Sequence, residues 1–148
     1  MVFGRRKRRI VRLLVVEDEP LVAFDNEHAL SDAGFEIVAT VPGVETAIAA
    51  LGDSVDLVVS DIRLEDGSGL DVARAARDAG IPVLFVSGLC PDGAEQLAAG
   101  CLSKPYQPKD LVNAITAVDA MLGGKRVRRV PAGLTLFEAQ PDEQEGAA

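Results

Sequence analysis

Five short apolar runs punctuate the chain, at Leu13–Val16, Phe35–Val41, Val55–Ser60, Ile81–Val86 and Cys101–Ser103. Each is too brief for a buried helix, and several are rich in β-branched residues. That is the pattern of strands covered on both faces. Helical patterns fill the intervals. Pro20 stands at the first turn of a segment carrying Leu21, Val22, Phe24, Ala29, Leu30 and Ala33, which stops at Gly34. Val44, Ala47, Ile48 and Leu51 share one face of a second helix, and a third runs from about Leu70 to Ala79. A short helix is predicted near Ala94–Ala98. A last one, Lys109–Leu122, carries Leu111, Val112, Ile115, Val118 and Leu122 along one side. Five strands alternating with five helices over short connections dictate an α/β fold, a five-stranded parallel sheet with helices on both faces.

In such a sheet, functional groups collect outside the carboxyl ends of the strands. Glu17 and Asp18 follow the first strand, Asp61 ends the third, Ser87 follows the fourth and Lys104 follows the fifth. Taken singly, each has a bland reading. Asp61 could cap a helix or sit in a turn, and Glu17-Asp18-Glu19 could be acids favoured by a helix dipole. Ser87-Gly88 and Lys104-Pro105 could be ordinary loops. Together they are restrictive, because two like charges ~4 Å apart repel by ~4 kcal/mol at an effective dielectric near 20. Clustered carboxylates therefore call for a cation, and a hard, oxygen-seeking Mg²⁺ suits them. Acids, a divalent metal, a lysine and a hydroxyl make a phosphoryl-transfer site, in which an Asp carboxylate can itself be the nucleophile.

These segments resemble the receiver domain of bacterial two-component response regulators, which has the flavodoxin/CheY-like doubly wound fold. The likeness is carried by Leu13-Leu14-Val15-Val16-Glu17-Asp18-Glu19-Pro20, Asp56–Leu64, Asp66-Gly67-Ser68-Gly69-Leu70, Val86-Ser87-Gly88 and Lys104-Pro105. It covers residues 10–122, leaving 1–9 as a basic N-terminal arm and 123–148 as a flexible tail. Leu134–Phe137 is that tail's one candidate docking segment. The resemblance implies that Asp61 is the phosphoacceptor and that Glu17, Asp18, Asp61 and the main-chain carbonyl of Arg63 hold Mg²⁺. It also implies that Ser87 is the switch hydroxyl, that Lys104 grips a phosphoryl oxygen, and that the Lys104–Pro105 bond is often cis. The implied partner is a sensor histidine kinase or a histidine phosphotransfer protein. The implied role is a single-domain regulator, with no output domain attached, signalling through protein contacts or draining phosphate.

Two departures matter. The family usually has an aromatic residue three positions before the lysine, and here that position is Cys101. Pro82-Val83-Leu84-Phe85-Val86-Ser87-Gly88 instead resembles, in part, the signature of FAT GUY single-domain regulators, which lack that aromatic. Arg63 and Leu89 occupy the two positions that tune water attack in this family. A long cation and an apolar side chain there imply a fairly stable phosphoform.

Charge narrows the alternatives. Residues 13–122 hold 5 Lys+Arg against 19 Asp+Glu, while the other basic residues lie in 5–12 and 125–129. An acidic body argues against general nucleic-acid binding, and the basic ends keep a nucleic-acid-binding regulator as the alternative. A haloacid-dehalogenase-like hydrolase would need a second Asp two residues beyond Asp61, where Arg63 stands. His28, amid Asp25, Glu27 and Asp32, reads as a helix-surface residue rather than a relay histidine. No apolar run is long enough to cross a bilayer, and no signal peptide is legible, so the expected location is cytoplasmic. Cys90 and Cys101 form no C-x-x-C, and reduced thiols are expected rather than a disulfide or zinc site.

Overall fold

The computed structural model describes residues 9–52 and 54–137. Arg12–Val16 (β1), Glu36–Val41 (β2), Leu57–Asp61 (β3), Val83–Ser87 (β6) and Gly100–Ser103 (β7) pair in parallel, in the order β2-β1-β3-β6-β7. β3 and β6 are buried along their whole length, as expected where the apolar runs Leu57–Val59 and Val83–Val86 are covered on both faces. A two-stranded hairpin, Arg63–Leu64 (β4) with Gly67–Ser68 (β5), interrupts the chain just after β3.

Two apolar clusters fill the spaces on either side of the sheet. Leu13, Val15, Leu57, Val59 and Leu84 pack under helices Pro20–Asp32 (α1) and Pro108–Leu122 (α4). Leu14, Val16, Val58, Val83 and Phe85 pack under Val44–Ala50 (α2) and Gly69–Asp78 (α3). The period-2 alternation within each strand sorts these residues to opposite faces. Burying each such side chain contributes about 1.5–3 kcal/mol.

The structure differs from the sequence expectations in three places. The segment near Ala94–Ala98 is only a 3₁₀ turn, Ala94–Gln96, entered through Gly93 in the left-handed conformation (φ 87°). The space beside β6 and β7 therefore lacks a full helix. On α1, Leu21 and Phe24 point outward at 80 % and 57 % exposure, and the buried face is Ala23, Asn26 and Leu30. Asn26 is held there by the Tyr106 hydroxyl, which donates to its Oδ1 at 3.1 Å.

The third difference is a sixth strand. Leu134–Leu136 (β8) pairs antiparallel with β7, placing Leu134 opposite Leu102 and Leu136 opposite Gly100. This is the form taken by the docking segment expected at Leu134–Phe137. On the way there, residues 126–131 run past Asn113, Thr116, Ala117 and Ala120 of α4. Residues 1–8 and 138–148 of the two tails lie outside the described residues. Arg9 contacts α4, its backbone N–H donating to Asp119 Oδ1 at 3.2 Å and its guanidinium to the Leu122 carbonyl. Arg12 is likewise engaged, with Glu36 at 2.9 Å and the Ser54 carbonyl at 2.7 Å.

Candidate functional site

The site forms where β1, β3, β6 and β7 end. Parallel register does most of the positioning: Val16 lies opposite Ser60, Asp61 opposite Val86, and Ser87 opposite Ser103. Each strand therefore releases its polar residue at the same edge of the sheet. Carboxylate oxygens of Glu17, Asp18 and Asp61 lie within 4.8 Å of one another. Glu17 and Asp61 are buried, and Asp18 is half-buried.

Lys104 reaches into this cluster. Its Nζ donates to Asp61 Oδ2 at 2.9 Å and lies 3.8 Å from Glu17 Oε1. The other Asp61 oxygen, Oδ1, accepts the backbone N–H of Ile62 at 2.7 Å and of Arg63 at 3.3 Å. Asp61 is thus clamped by one oxygen and offers the other toward the lysine. Burial pushes the Glu17 carboxyl above its ordinary value, only partly offset by the Glu19 N–H and the Lys104 charge. For Lys104 the largest single influence, burial, favours the neutral amine. The Asp61 hydrogen bond and the Glu17 and Asp61 charges together outweigh it, and the net direction is upward. Three carboxylates against one ammonium leave an excess of negative charge that a hard cation would relieve, and oxygen donors are what Mg²⁺ selects.

Ser87 ends β6, and its hydroxyl is tied into the following turn. It donates to the Leu89 carbonyl at 2.9 Å and accepts from the Leu89 N–H at 3.3 Å. The Lys104 N–H donates to the Ser87 carbonyl at 2.8 Å, joining these two strand ends. The Lys104–Pro105 peptide bond is cis. Arg63 is exposed in β4, with its backbone beside Asp61.

A residue with no obvious chemistry also shapes the site. Gly69 begins α3 with its N–H donating to the Ile62 carbonyl at 2.7 Å, and a Cβ there would strike the Asp61 carbonyl oxygen. The short hairpin can fold back under Asp61 only because Gly69 is bare. In the sequence, the signal is the polar turn Glu65–Gly69, which begins four residues beyond Asp61.

One expectation is corrected here. Cys90 and Cys101 form a disulfide, with Cα atoms 6.4 Å apart. Phe85 pairs with Cys101 across β6 and β7. The loop beyond Ser87 then brings Cys90 back over the same face, within the reach a disulfide requires. The position expected to depart from the family's aromatic is therefore half of a covalent bridge. His28 is exposed and stacks edge-to-face on Phe24, ring centroids 4.7 Å apart.

The model of the response regulator receiver domain matches residues 13–116. Among curated proteins, the chain is 31 % identical over 112 residues to the DNA-binding response regulator MtrA of Mycolicibacterium smegmatis, covering 72 % of this chain and 49 % of that protein. It is 33 % identical over 117 residues to the probable transcriptional regulatory protein TcrX of Mycobacterium tuberculosis, covering 73 % and 49 %. The chain thus spans about half the length of these relatives. Among solved structures, a response regulator receiver protein from Sinorhizobium medicae matches at 31 % identity and TM-score 0.63, over 74 % of this chain and 94 % of that one. The non-phosphorylated HemR receiver domain from Leptospira biflexa matches at 25 % identity and TM-score 0.67, over 74 % and 94 %.

Proposed function

Because this chain belongs to the response regulator receiver family of two-component systems, we propose that it accepts a phosphoryl group on Asp61 from a histidine kinase or phosphotransfer protein. The observation that carries the reading is the Asp61 carboxylate. One oxygen is fixed by two backbone N–H groups, and the other faces Lys104 inside a three-carboxylate cluster. Positioning and charge neutralisation dominate phosphoryl transfer, and this arrangement supplies both.

Glu17, Asp18 and Asp61, with the Arg63 carbonyl, would hold Mg²⁺. When bound, the ion neutralises charge on the incoming phosphoryl group. Asp61 Oδ2 attacks phosphorus, and the bond from phosphorus to the donor's nitrogen breaks. Lys104 then moves its hydrogen bond from the carboxylate to a phosphoryl oxygen. Ser87 gives up the Leu89 carbonyl to donate to another. That exchange converts a local charge change into movement of the loop after β6, a two-state element of the kind ligands bias. Arg63 and Leu89 flank the approach of hydrolytic water and would slow it.

A receiver of the FAT GUY kind, acting in the cytoplasm, belongs to the same proposal. A partner would then read the loop after β6, which carries only the 3₁₀ turn Ala94–Gln96 before β7.

The test is incubation with Mg²⁺ and acetyl phosphate or a panel of kinases, comparing wild type with Asp61→Asn. The expected result is one acid-stable, base-labile phosphoryl group on wild type and none on the variant. Failure of wild type to gain it from any donor would overturn the proposal.

A further inference from the structure

The Cys90–Cys101 bridge spans 11 residues of sequence and joins two unlike places. Cys101 is wholly buried in β7, a strand hydrogen-bonded to neighbours on both sides. Cys90 is half-buried, in a connection whose neighbours Gly88, Leu89 and Asp92 are exposed. A segment so poorly buried is the part of a fold that opens most easily. The disulfide fastens it to a buried strand paired on both edges.

What it fastens matters. Leu89 immediately precedes Cys90, and its carbonyl accepts the Ser87 hydroxyl at 2.9 Å. Ser87 can donate elsewhere only by abandoning that carbonyl or carrying it along. The Cys90–Cys101 bond restrains the residue directly after Leu89, and with it the carbonyl that the Ser87 hydroxyl uses.

We propose that Cys90 and Cys101 are a redox modification site, exchanging with a dithiol or a small-molecule disulfide such as glutathione disulfide, and that the oxidised form holds Ser87 back from the phosphorylation site. The inference rests on the phosphoacceptor reading of Asp61. In the reducing direction, a thiolate of the external dithiol attacks Cys90 Sγ, the accessible sulfur, and Cys101 leaves as a thiolate that takes up a proton. The second thiol of the reductant then closes its own disulfide and releases Cys90. Two electrons pass from the dithiol to the protein. The oxidising direction is the same exchange reversed, with a small-molecule disulfide as oxidant. In a reducing compartment the pair would stand open, and an oxidant pulse would close it.

The full chain is prepared oxidised with glutathione disulfide and reduced with dithiothreitol, each state verified by alkylation and mass. Beryllofluoride with Mg²⁺ serves as the phosphoryl mimic, and amide hydrogen exchange of residues 88–93 is followed in both forms. The expected result is faster exchange in the reduced form and about tenfold tighter beryllofluoride binding, the effect of one hydrogen bond gained by the ligand. Cys90→Ser should behave as the reduced form and ignore dithiothreitol. Equal binding and equal exchange in the two forms would overturn the inference while leaving phosphorylation of Asp61 standing. So would two thiols that resist oxidation. Absence of binding in both forms would overturn the phosphoacceptor reading and this inference with it.

Discussion

Lys104 Nζ sits 2.9 Å from Asp61 Oδ2 and 3.8 Å from Glu17 Oε1, so one ammonium serves two carboxylates delivered by different strands. Removing it leaves three acids facing each other. With the lysine side chain 29 % exposed, screening reduces the stability cost of Lys104→Met to about 1 kcal/mol. The effect on chemistry should be larger. Phosphorylation by acetyl phosphate should slow by about 10²-fold, as when one preorganised charge stabiliser is lost. Urea melts and phosphorylation time courses check the two values separately.

Mg²⁺ should stabilise the folded protein, because the cluster exists only when the strand ends are assembled. At about 100 times its dissociation constant a bound ligand adds about 2.7 kcal/mol. Asp18→Asn should lose most of that increment while keeping its metal-free stability. Thermal melts across a Mg²⁺ series provide the measurement.

Gly69→Ala should be costly for a substitution so small. Its Cβ would meet the Asp61 carbonyl, which is backbone and cannot step aside. A loss of about 1–3 kcal/mol is expected, with phosphorylation slowed as Asp61 is displaced. Gly52→Ala is the control, since a Cβ there meets nothing within 4 Å.

Acid should weaken the cap on α2. Asp66 accepts the N–H groups of Val44 at 2.7 Å and Glu45 at 3.2 Å, which hold its carboxyl below the ordinary 3.8. A depressed folded-state value adds stability above the unfolded value, and that stability is lost as pH falls through the folded one. Asp66→Ala should therefore be less stable than wild type at pH 6, and the gap should close toward pH 3. Urea midpoints at both pH values decide it.

Much of the site's layout was legible in the sequence, for a physical reason. A parallel sheet brings all its carboxyl ends to one edge, so Glu17, Asp18, Asp61, Ser87 and Lys104 could be placed together once the five runs were seen. What escaped depends on contacts that no periodicity records. Cys90 and Cys101 meet because a loop folds back over β7, and the expectation of reduced thiols rested on the lack of a C-x-x-C spacing, which records nothing of that fold-back. Nothing in the periodicity of α1 marks Asn26 as buried, because its partner Tyr106 comes from 80 residues further along the chain. The 3₁₀ turn at Ala94–Gln96 was overestimated as a helix because its few apolar residues fit either form. β8 is only three residues long and gains its shape from pairing with β7.

That last strand also decides which way the chain is heading when it leaves the fold. The five parallel strands all run toward the acidic edge, and β8 runs against them. The Phe137 N–H donates to the carbonyl of Ala99, just before β7 begins, so the backbone departs at the opposite pole. An affinity handle joined at Phe137 itself would therefore sit away from the edge that carries Glu17, Asp18 and Asp61.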